Sequence, residues 1–435
     1  MLSVPLCDRC LGRQFSNLMP SHDNEAKGKV LKNFLFMNEA LVKEEKSRIS
    51  LKIIKALAES GHDFSLGFLR RNFGLNITPK PCYICDNKIN SLIDRAVARI
   101  VEKSPEVEFK TFYVGLTLPV LFEEKDEKVK SFFKLKFGEA LKNELNREII
   151  GKIGRKLRKN PEMRRPDVLF IYDAIRDQVS MQINSVFLKS SYKKLVGGIA
   201  QTKWRGVGEG STPSIEKMLE EIILTAYRGR GLKFHGAGRE DVDVKMLGEG
   251  RPFIVEILEP KIRSVDLKKI RSEFNRRFGK MVEVSEFAEA TYLDVPRLKL
   301  ETESRRKSYR VVFETEREVS EKELEGLSAK LTGIVVKQRT PLRVLKRRKD
   351  KIRRKTIYEA VFRRLGSSLY EAFVTCSGGL YVKEFFHGDE GRTVPSAAGL
   401  LNTKIKIVEM EVTGIEGGYV DASNLRKKNK DEKSA

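Results

Sequence analysis

Apolar positions along the chain follow helical spacing in some stretches and strand spacing in others. Apolar residues at helical spacing predict helices over residues 29–60, 90–102, 130–158, 214–225, 265–278 and 320–331. Alternating or short apolar runs predict strands over residues 109–116, 168–172, 179–187, 252–258, 309–314, 358–362 and 404–412. The two kinds of element interleave without the regular strand–helix alternation of a parallel sheet. The pattern therefore predicts an α+β fold.

A change in composition marks where the chain divides into domains. With 435 residues the chain is too long for one ordinary core. Residues 196–214 are rich in glycine and contain the only tryptophan, Trp204, so they predict a linker. We therefore expect an N-terminal domain over residues 1–195, a second domain over residues 215–424 and a charged, disordered tail over residues 425–435.

The charge balance indicates the kind of partner. The chain has 84 Lys and Arg residues against 60 Asp and Glu residues, a net charge of +24. Such a surface attracts polyanions, above all nucleic acid, although charge-rich proteomes also contain basic proteins for reasons of stability. No apolar run approaches the ~20 residues of a membrane span, and the N-terminus lacks the features of a signal peptide. We expect a cytoplasmic protein that binds nucleic acid and no membrane.

Four of the five cysteines form two identical pairs, Cys7-x-x-Cys10 and Cys82-x-x-Cys85. Disulfides do not persist in the cytosol, whereas two such pairs supply the four thiolates of a structural zinc site. Because all four positions would be filled by protein, the metal would have no open position for catalysis. The alternatives are two unrelated reduced pairs or a single redox-active pair.

Residues 234–244 form the most unusual stretch of the chain. Two glycines precede the cluster Arg239-Glu240-Asp241, and an alternating apolar pattern follows. A carboxylate beside a guanidinium stays ionised, and in this state it can act as a nucleophile, a base or a metal ligand. The alternative is a surface turn with an ordinary ion pair, and the pattern alone favours that alternative.

Several segments resemble one enzyme family. The sequence Gly238-Arg239-x-Asp241 resembles the catalytic motif of pseudouridine synthases, and its continuation to Gly248 resembles the archaeal and eukaryotic "Pus-ten" type of tRNA pseudouridine synthase. Residues 306–310, 338–348 and 379–392 resemble further motifs of this type, in the same order. Residues 165–168 with the strands that follow resemble a THUMP module, and the cysteine pairs and residues 201–204 also match. The resemblance spans nearly the whole chain.

The resemblance implies an isomerase that converts uridine 54 and, in archaea, uridine 55 of the tRNA T-arm to pseudouridine. Asp241 would be the nucleophile, Tyr309 would stack on the flipped base, and Lys383 would pair with Asp241 and keep it anionic. The implied substrate-binding residues are Arg239, Tyr309, Tyr381, Arg343, Arg347, Arg348 and Arg392. No small-molecule cofactor would be needed for catalysis, and zinc at the four cysteines would be structural.

The resemblance also implies the fold of each domain. The catalytic domain would have a mixed, mainly antiparallel sheet with flanking helices, as in pseudouridine synthases. The N-terminal domain would be an α+β THUMP-like RNA-binding domain that zinc holds together.

One segment between the motifs is strongly basic. From Arg343 to Lys355 there are nine Lys and Arg residues and a single acid, Asp350. The segment is suited to contacts with RNA phosphates, and the alternative is an exposed flexible loop. A second basic cluster, at residues 155–165, adjoins the THUMP-like strands.

Three other functions compete with this interpretation. A THUMP-containing methyltransferase would have a strand followed by a glycine-rich nucleotide loop, and the sequence has no convincing one. A thiouridine-forming enzyme would continue Ser377-Gly378-Gly379 with an Asp and a Ser that this chain lacks. A non-catalytic RNA-binding or RNA-folding protein that retains the fold is the third, although the intact Asp241, Tyr309 and Lys383 argue against it.

Overall fold

The computed structural model describes residues 3–18, 23–41, 51–203 and 213–416, without the side chains of residues 301–304 and 347. Contacts divide the chain into two compact units, Met1–Asn184 and Ser185–Ala435. In the described ranges, no helix has the length and apolar character that crossing a membrane requires. The expected tail, residues 425–435, lies outside the described residues.

The first unit has seven α-helices and four strands in its described part. The helices are α1 (Asp8–Arg13), α2 (Asn24–Leu41), α3 (Leu51–Glu59), α4 (Asp63–Phe73), α5 (Ile89–Lys103), α6 (Val120–Phe132) and α7 (Leu141–Leu157). The strands are β1 (Thr111–Thr117), β2 (Asn160–Pro161), β3 (Val168–Asp173) and β4 (Gln178–Ile183). The sheet has the order β2-β1-β3-β4, with β1 parallel to both neighbours and β3 antiparallel to β4.

The long basic helix predicted over residues 130–158 is interrupted. Residues 133–140 leave the helix, and Lys134 has a φ of +52°. This segment instead lies against the start of the chain, where Asn17 N donates to Phe137 O at 2.9 Å and Glu139 N donates to Arg13 O at 3.3 Å. The helical pattern misled because Leu135 and Phe137 continue the apolar spacing across the break. The prediction over residues 29–60 falls on α2 and α3, and its residues 42–50 lie outside the described range.

The second unit has six α-helices and eleven strands in its described part. The helices are α8 (Ile215–Tyr227), α9 (Leu267–Phe278), α10 (Asp294–Ser304), α11 (Glu321–Leu331), α12 (Val382–His387) and α13 (Ala397–Leu401). The strands are β5 (Val186–Lys194), β6 (Gly231–Gly236), β7 (Lys245–Leu258), β8 (Val282–Val284), β9 (Ala288–Ala290), β10 (Arg306–Thr315), β11 (Val335–Arg339), β12 (Ile352–Arg364), β13 (Leu369–Ser377), β14 (Thr393–Val394) and β15 (Ile405–Ile415). A 3-10 helix covers Leu342–Arg347.

These eleven strands form one mixed sheet. Its main path has the order β14-β11-β12-β13-β10-β15-β7-β5-β8, while β6 pairs with β7 and β9 pairs with β5. Every pairing is antiparallel except that of β15 with β7. The expected α+β class with a mainly antiparallel sheet and flanking helices is confirmed.

The first unit ends at Asn184, eleven residues before the boundary at residue 195 that the sequence suggests. The predicted strand over residues 179–187 is two strands, β4 and β5, and β5 belongs to the second unit because Leu188 and Tyr192 are buried in its core. The expected linker is also partly ordered: Ile199 and Ala200 are buried, and Ala200 forms a β-bridge with Ser214. Trp204 and the rest of residues 204–212 lie outside the described range.

Candidate active site and cysteine cluster

The Arg239-Glu240-Asp241 cluster lies on the connection between β6 and β7. Gly238 has a φ of +78°, a conformation that glycine adopts without strain. A Cβ on Gly236 would lie 2.8 Å from Gln201 Nε2 and 3.0 Å from Gly238 O. The two glycines are therefore required for the chain path that presents Asp241.

The buried side chain of Glu240 anchors the loop between β6 and β7 to the core of the second unit. Its side chain is 1% exposed and accepts a hydrogen bond from Arg251 Nε at 2.7 Å. Its two oxygens also lie 2.8 and 2.9 Å from the hydroxyl of Tyr192, whose pKa is raised by burial and by the charge of Glu240. Arg251 Nη1 donates to Ala237 O at 2.7 Å. Because a buried ion pair stabilises a structure only when its hydrogen bonds are satisfied, this network fixes the loop on both sides of Gly238.

Lys194 supports the backbone of Asp241. The lysine is fully buried, and its Nζ donates to the carbonyl oxygens of Ile199, Asp241 and Val242 at 3.0, 3.0 and 3.1 Å. Burial lowers the pKa of Lys194. Since the main chain of Asp241 is held by Lys194, its side chain is left to face outward.

The carboxylate of Asp241 lies between two cations. Its side chain is 34% exposed, and Oδ1 accepts a hydrogen bond from Arg343 Nη1 at 3.1 Å. Its Oδ2 lies 3.7 Å from Lys383 Nζ. The structure thus brings together three residues that the resemblance implied for the site, and it makes Arg343 the nearer partner of Asp241.

Lys383 makes its shorter contacts with another carboxylate. It lies on α12, not on a strand, and its Nζ is 2.8 and 2.7 Å from Oδ1 and Oδ2 of Asp243. Asp243 precedes β7, in the turn that follows Asp241. Although burial raises the pKa of Asp243, the hydrogen bonds and charge of Lys383 lower it overall. The expected pairing of Lys383 with Asp241 is therefore shared with Asp243.

Arg343 bridges two carboxylates. Its Nε donates to Glu384 Oε1 at 2.6 Å, and the Glu384 side chain is 1% exposed. Although burial lowers the pKa of Arg343, the carboxylates of Glu384 and Asp241 raise it overall. The guanidinium is thereby held with one nitrogen on a buried acid of α12 and another on Asp241.

The segment that carries Arg343 is held in place by Arg392. Two nitrogens of Arg392 donate to Thr340 O at 3.0 and 2.7 Å, and Nη2 also donates to Asp350 Oδ1 at 2.7 Å. The other oxygen of Asp350 lies 2.8 Å from Arg339 Nη2. Arg392 is 16% exposed. Arg392 therefore links the two ends of the segment 340–350. Its contact with the substrate stays a prediction.

Tyr309 lies on β10 with its side chain in the core of the second unit. It is 9% exposed, and burial raises its pKa, as do the negative charges of Glu240 and Asp241. The hydroxyl of Tyr309 therefore stays protonated, and the ring offers a mostly apolar face within electrostatic reach of Asp241. This position is compatible with stacking against a base.

Tyr381 forms a separate group with two arginines. Its hydroxyl accepts a hydrogen bond from Arg348 Nη1 at 3.3 Å, and the guanidinium carbon of Arg353 lies 5.8 Å from its ring centre. Gln338 fixes the Tyr381 backbone on both sides: Tyr381 N donates to Gln338 Oε1 at 2.8 Å, and Gln338 Nε2 donates to Tyr381 O at 2.9 Å. These residues form a surface of cations and one aromatic ring, which is suited to RNA.

The two remaining predicted contact residues are not part of these groups. Arg239 is exposed and forms no hydrogen bond or ion pair within the described part of the chain. The side chain of Arg347 lies outside what the structure describes.

Sequence reasoning missed the residues that support the loop. Tyr192, Lys194 and Arg251 were not singled out, and neither was Glu384. The available signal was a charged residue in an apolar context: Arg251 directly precedes the apolar run 252–258, and Lys194 ends the strand β5.

The four paired cysteines come together in the first unit. All four Sγ atoms lie within 4.8 Å of one another, and Cys7 Sγ is 3.8 Å from Cys85 Sγ. In a tetrahedral zinc site with Zn–S bonds of about 2.3 Å, sulfur atoms are about 3.8 Å apart. The cluster therefore fits a four-coordinate metal and could hold one.

Polar side chains around the cysteines connect them to the rest of the first unit. Arg13 Nη1 lies 3.7 Å from Cys10 Sγ, and the same fully buried guanidinium forms ion pairs with Asp126 at 2.7 Å and Glu144 at 3.0 Å. Cys82 N donates to Asn87 Oδ1 at 3.2 Å. The cluster is thus joined through Arg13 to α6 and α7.

Known protein families and individual proteins are similar to this chain over most of its length. A family model described as "Pus10, C-terminal" matches residues 187–416, and one described as "Pus10 THUMP domain, archaeal" matches residues 96–173. A protein of Thermosphaera aggregans named tRNA pseudouridine synthase Pus10 is 35% identical over 95% of this chain and 94% of its own length. One of the same name from Methanocaldococcus jannaschii is 34% identical over 94% and 92%.

Solved structures were also compared. A Cbf5–Nop10–Gar1 complex chain matches at a TM-score of 0.31 and 14% identity, over 52% of this chain and 48% of that one. This similarity is too low to support an argument.

Proposed function

The chain belongs to the Pus10 family of tRNA pseudouridine synthases, and from this premise we propose that it isomerises uridines 54 and 55 in the T-arm of tRNA to pseudouridine, with Asp241 as nucleophile. The observation that carries the proposal is the partly exposed Asp241 carboxylate, which is held by Arg343 and Lys383. Its negative charge also acts on the buried Tyr309, whose pKa it helps to raise.

The reaction needs few groups. The carboxylate of Asp241 forms a covalent bond to the flipped uridine, the bond between C1′ and N1 breaks, and the base rotates and bonds to C1′ through C5. The bond to Asp241 breaks in the course of the reaction, which restores the free carboxylate. The C5 hydrogen leaves as a proton and N1 takes one up, so the product is an isomer and no redox cofactor is consumed. Tyr309 supports the base by stacking, and Arg343 and Lys383 hold the attacking carboxylate in position.

The arrangement of charges supports tRNA as the substrate. Arg348 and Arg353 flank Tyr381 near the site, and their guanidinium groups suit phosphate oxygens and base faces. In the first unit the matched THUMP region lies next to the basic residues 155–165. We assign RNA binding to both surfaces.

We also propose that the cysteine cluster holds zinc. Four thiolates at tetrahedral spacing are the ligand set of structural zinc sites, and no position is left for water or substrate. Zinc would hold α1 against the segment that contains Cys82 and Cys85, and Arg13 would offset part of the negative charge on the sulfurs.

A direct test is to incubate the protein with unmodified tRNA transcript and map pseudouridine by position. We expect new pseudouridine at positions 54 and 55, and a transcript with cytidine at both positions should gain none. The competing function is RNA binding without chemistry. Tight tRNA binding with no pseudouridine at any position would establish that alternative.

A further inference from the structure

A buried lysine beside the candidate active site has no part in the roles described so far. Lys307 lies on β10, two residues before Tyr309, and is 7% exposed. Residues i and i+2 of a strand point to the same face, with their Cα atoms about 6.6 Å apart. The alternating burial of Lys307, Tyr309 and Val311 shows that they share the buried face of β10. The lysine side chain therefore runs next to the ring proposed to stack on the base.

Four titratable or charged groups surround Lys307. Cys376 of β13 lies opposite it in the register of the two strands. Burial lowers the pKa of Lys307 to about 8; the positive charges of Arg251 and Lys355 lower it as well, whereas Cys376 and Glu240 act in the opposite direction. Arg251 and Glu240 also act on the pKa of Tyr309. Lys307 thus lies within electrostatic reach of Glu240 and Arg251, the ion pair that supports the Asp241 loop.

Lys307 differs from the other buried lysine of this region in its partners. Lys194 is satisfied by three carbonyl oxygens. Among the described residues, Lys307 Nζ has no hydrogen-bond acceptor and no carboxylate within ion-pair distance. Glu240, the nearest negative charge that acts on it, is already bound to Arg251. Lys307 Nζ is not one of the fully buried polar atoms that lack a partner, so the nitrogen keeps contact with solvent although most of the side chain is buried. We infer that an anion brought by the substrate can reach it there.

The position of Lys307 indicates which anion this is. When an enzyme flips a nucleotide, the base enters the pocket while the phosphates stay with the strand at the surface. Exposed cations such as Arg348 and the lysines Lys346, Lys349 and Lys351 are placed for phosphates. A cation at the depth of Lys307, beside Tyr309, would meet the base. The base becomes anionic during the reaction, because the electron pair of the C1′–N1 bond moves to the uracil when that bond breaks.

Building on the proposed function, we propose that Lys307 is a catalytic residue whose ammonium stabilises the negative charge on the uracil while it is detached from the ribose. The ammonium donates a hydrogen bond to a uracil oxygen and keeps its proton. The charge disappears when C5 bonds to C1′, the C5 hydrogen leaves as a proton and N1 takes up a proton. The step needs no further reactant. A donor aimed at charge that exists only during the reaction lowers the barrier without strengthening substrate binding.

The test compares Lys307→Met with wild type in single-turnover tritium release from tRNA labelled at uridine C5. Removing such a donor should lower the rate by about 100-fold, while tRNA affinity in filter binding stays at the wild-type value. Because the pKa of Lys307 is about 8, wild-type kcat/KM should fall as the pH rises through this value. Lys307→Arg should retain more activity than Lys307→Met and should not show this fall.

Lys194→Met is the matched control. It removes a buried lysine whose Nζ donates to three carbonyl oxygens, so its melting temperature should drop. The melting temperature of Lys307→Met should not drop, because this variant removes no hydrogen bond and keeps most of the buried side-chain volume.

Three outcomes would overturn the proposal. One is a wild-type rate in Lys307→Met. Another is a loss of tRNA affinity with an unchanged rate at saturation, which would assign Lys307 to a phosphate. The third is a melting temperature that falls as much as that of Lys194→Met. Failure of the proposed function itself would look different, as wild-type protein that releases no tritium, and it would overturn both.

Discussion

The cysteine cluster of the first unit and the Asp241 site of the second unit each bring several reactive groups together, but they leave them in different states. Three of the four cysteines are at most 1% exposed, and the four sulfur atoms lie within 4.8 Å of one another inside the hydrophobic core of the first unit. Asp241 is 34% exposed and is held by cations on both oxygens. In the first site the protein supplies every ligand, whereas in the second an approaching molecule can still reach the carboxylate.

The two sites differ in whether the central residue, as well as the residues that support it, is buried. In both sites the supporting residues are buried, as Arg13 and Glu240 are. Only in the second does the residue at the centre remain accessible. Substitutions should therefore affect folding in the first site and turnover in the second, and four experiments test this contrast.

The largest effect is expected at Asp241. Asp241→Asn keeps the shape of the side chain but removes its charge and its nucleophilic oxygen, so pseudouridine formation should fall by about 10⁴-fold or more. Tritium release at single turnover measures the rate, and filter binding and thermal melting should be close to wild type. If Asp241→Asn releases tritium at the wild-type rate, Asp241 is not the nucleophile.

The next effect is expected at the cysteines. Cys82→Ser should lose the metal and destabilise the first unit by about 4 kcal/mol or more, as loss of a structural metal does. Metal analysis and limited proteolysis of the full chain measure this, and cleavage should concentrate in residues 1–184. As a control, Cys376→Ser replaces the cysteine of the second unit, and this variant should contain as much zinc as wild type. Wild-type protein that contains no stoichiometric zinc after purification under reducing conditions would contradict the assignment.

An intermediate effect is expected at the two cations. Arg343→Met removes the hydrogen bond to Asp241 and leaves Glu384 buried without its partner, so the rate should fall by about 100-fold. Lys383→Met should cost less, because its shorter contacts are with Asp243. Single-turnover rates of the two variants decide the order. A larger loss in Lys383→Met would mean that Lys383, not Arg343, is the main partner of Asp241 during catalysis.

The smallest effect is expected at the arginines of the basic segment from Arg343 to Lys355. Replacing Arg347, Arg348, Arg353 and Arg354 together with Ala should weaken tRNA binding and flatten its salt dependence, since each lost phosphate contact lowers the slope of log K against log salt by roughly 0.9. Binding isotherms at several salt concentrations measure the slope. Replacing the exposed Lys322 and Lys330 of α11, which lie outside this segment, should leave it unchanged. An unchanged slope in the fourfold variant would make the segment a surface loop without contact to RNA.

Much of this architecture could be predicted from the sequence. Helices such as α9 and α11 have regular apolar spacing, and the paired cysteines identified their own cluster. The strand β13 was missed, because the apolar Phe373 lies on its exposed face and interrupts the alternation of apolar and polar positions. The break at residues 133–140 was missed because it depends on contacts with residues 13–17, which are distant in sequence.

The candidate site was predicted less completely than the fold. Motif resemblance implied roles for Asp241, Tyr309 and Lys383, each of which lies in its own short stretch of sequence. The contacts of Arg343 with Asp241 and of Lys383 with Asp243 join residues more than 100 positions apart, and no spacing rule predicts such partners. The same holds for the burial of Glu240 against Arg251 and Tyr192, which depends on how β5 and β7 pair.

One pairing in the large sheet has a consequence for the order of synthesis. Among the described strands, only β15 pairs with both β10, which carries Tyr309, and β7, which follows the Asp241 loop. The approach is close, since a Cβ on Gly248 would lie 2.1 Å from Thr413 O. On a ribosome, β7 and β10 emerge long before residues 405–415 do. The two parts of the sheet can therefore join only after residues 405–415 have been synthesised, so during translation the candidate site around Asp241 and Tyr309 cannot assemble before this segment has left the ribosome.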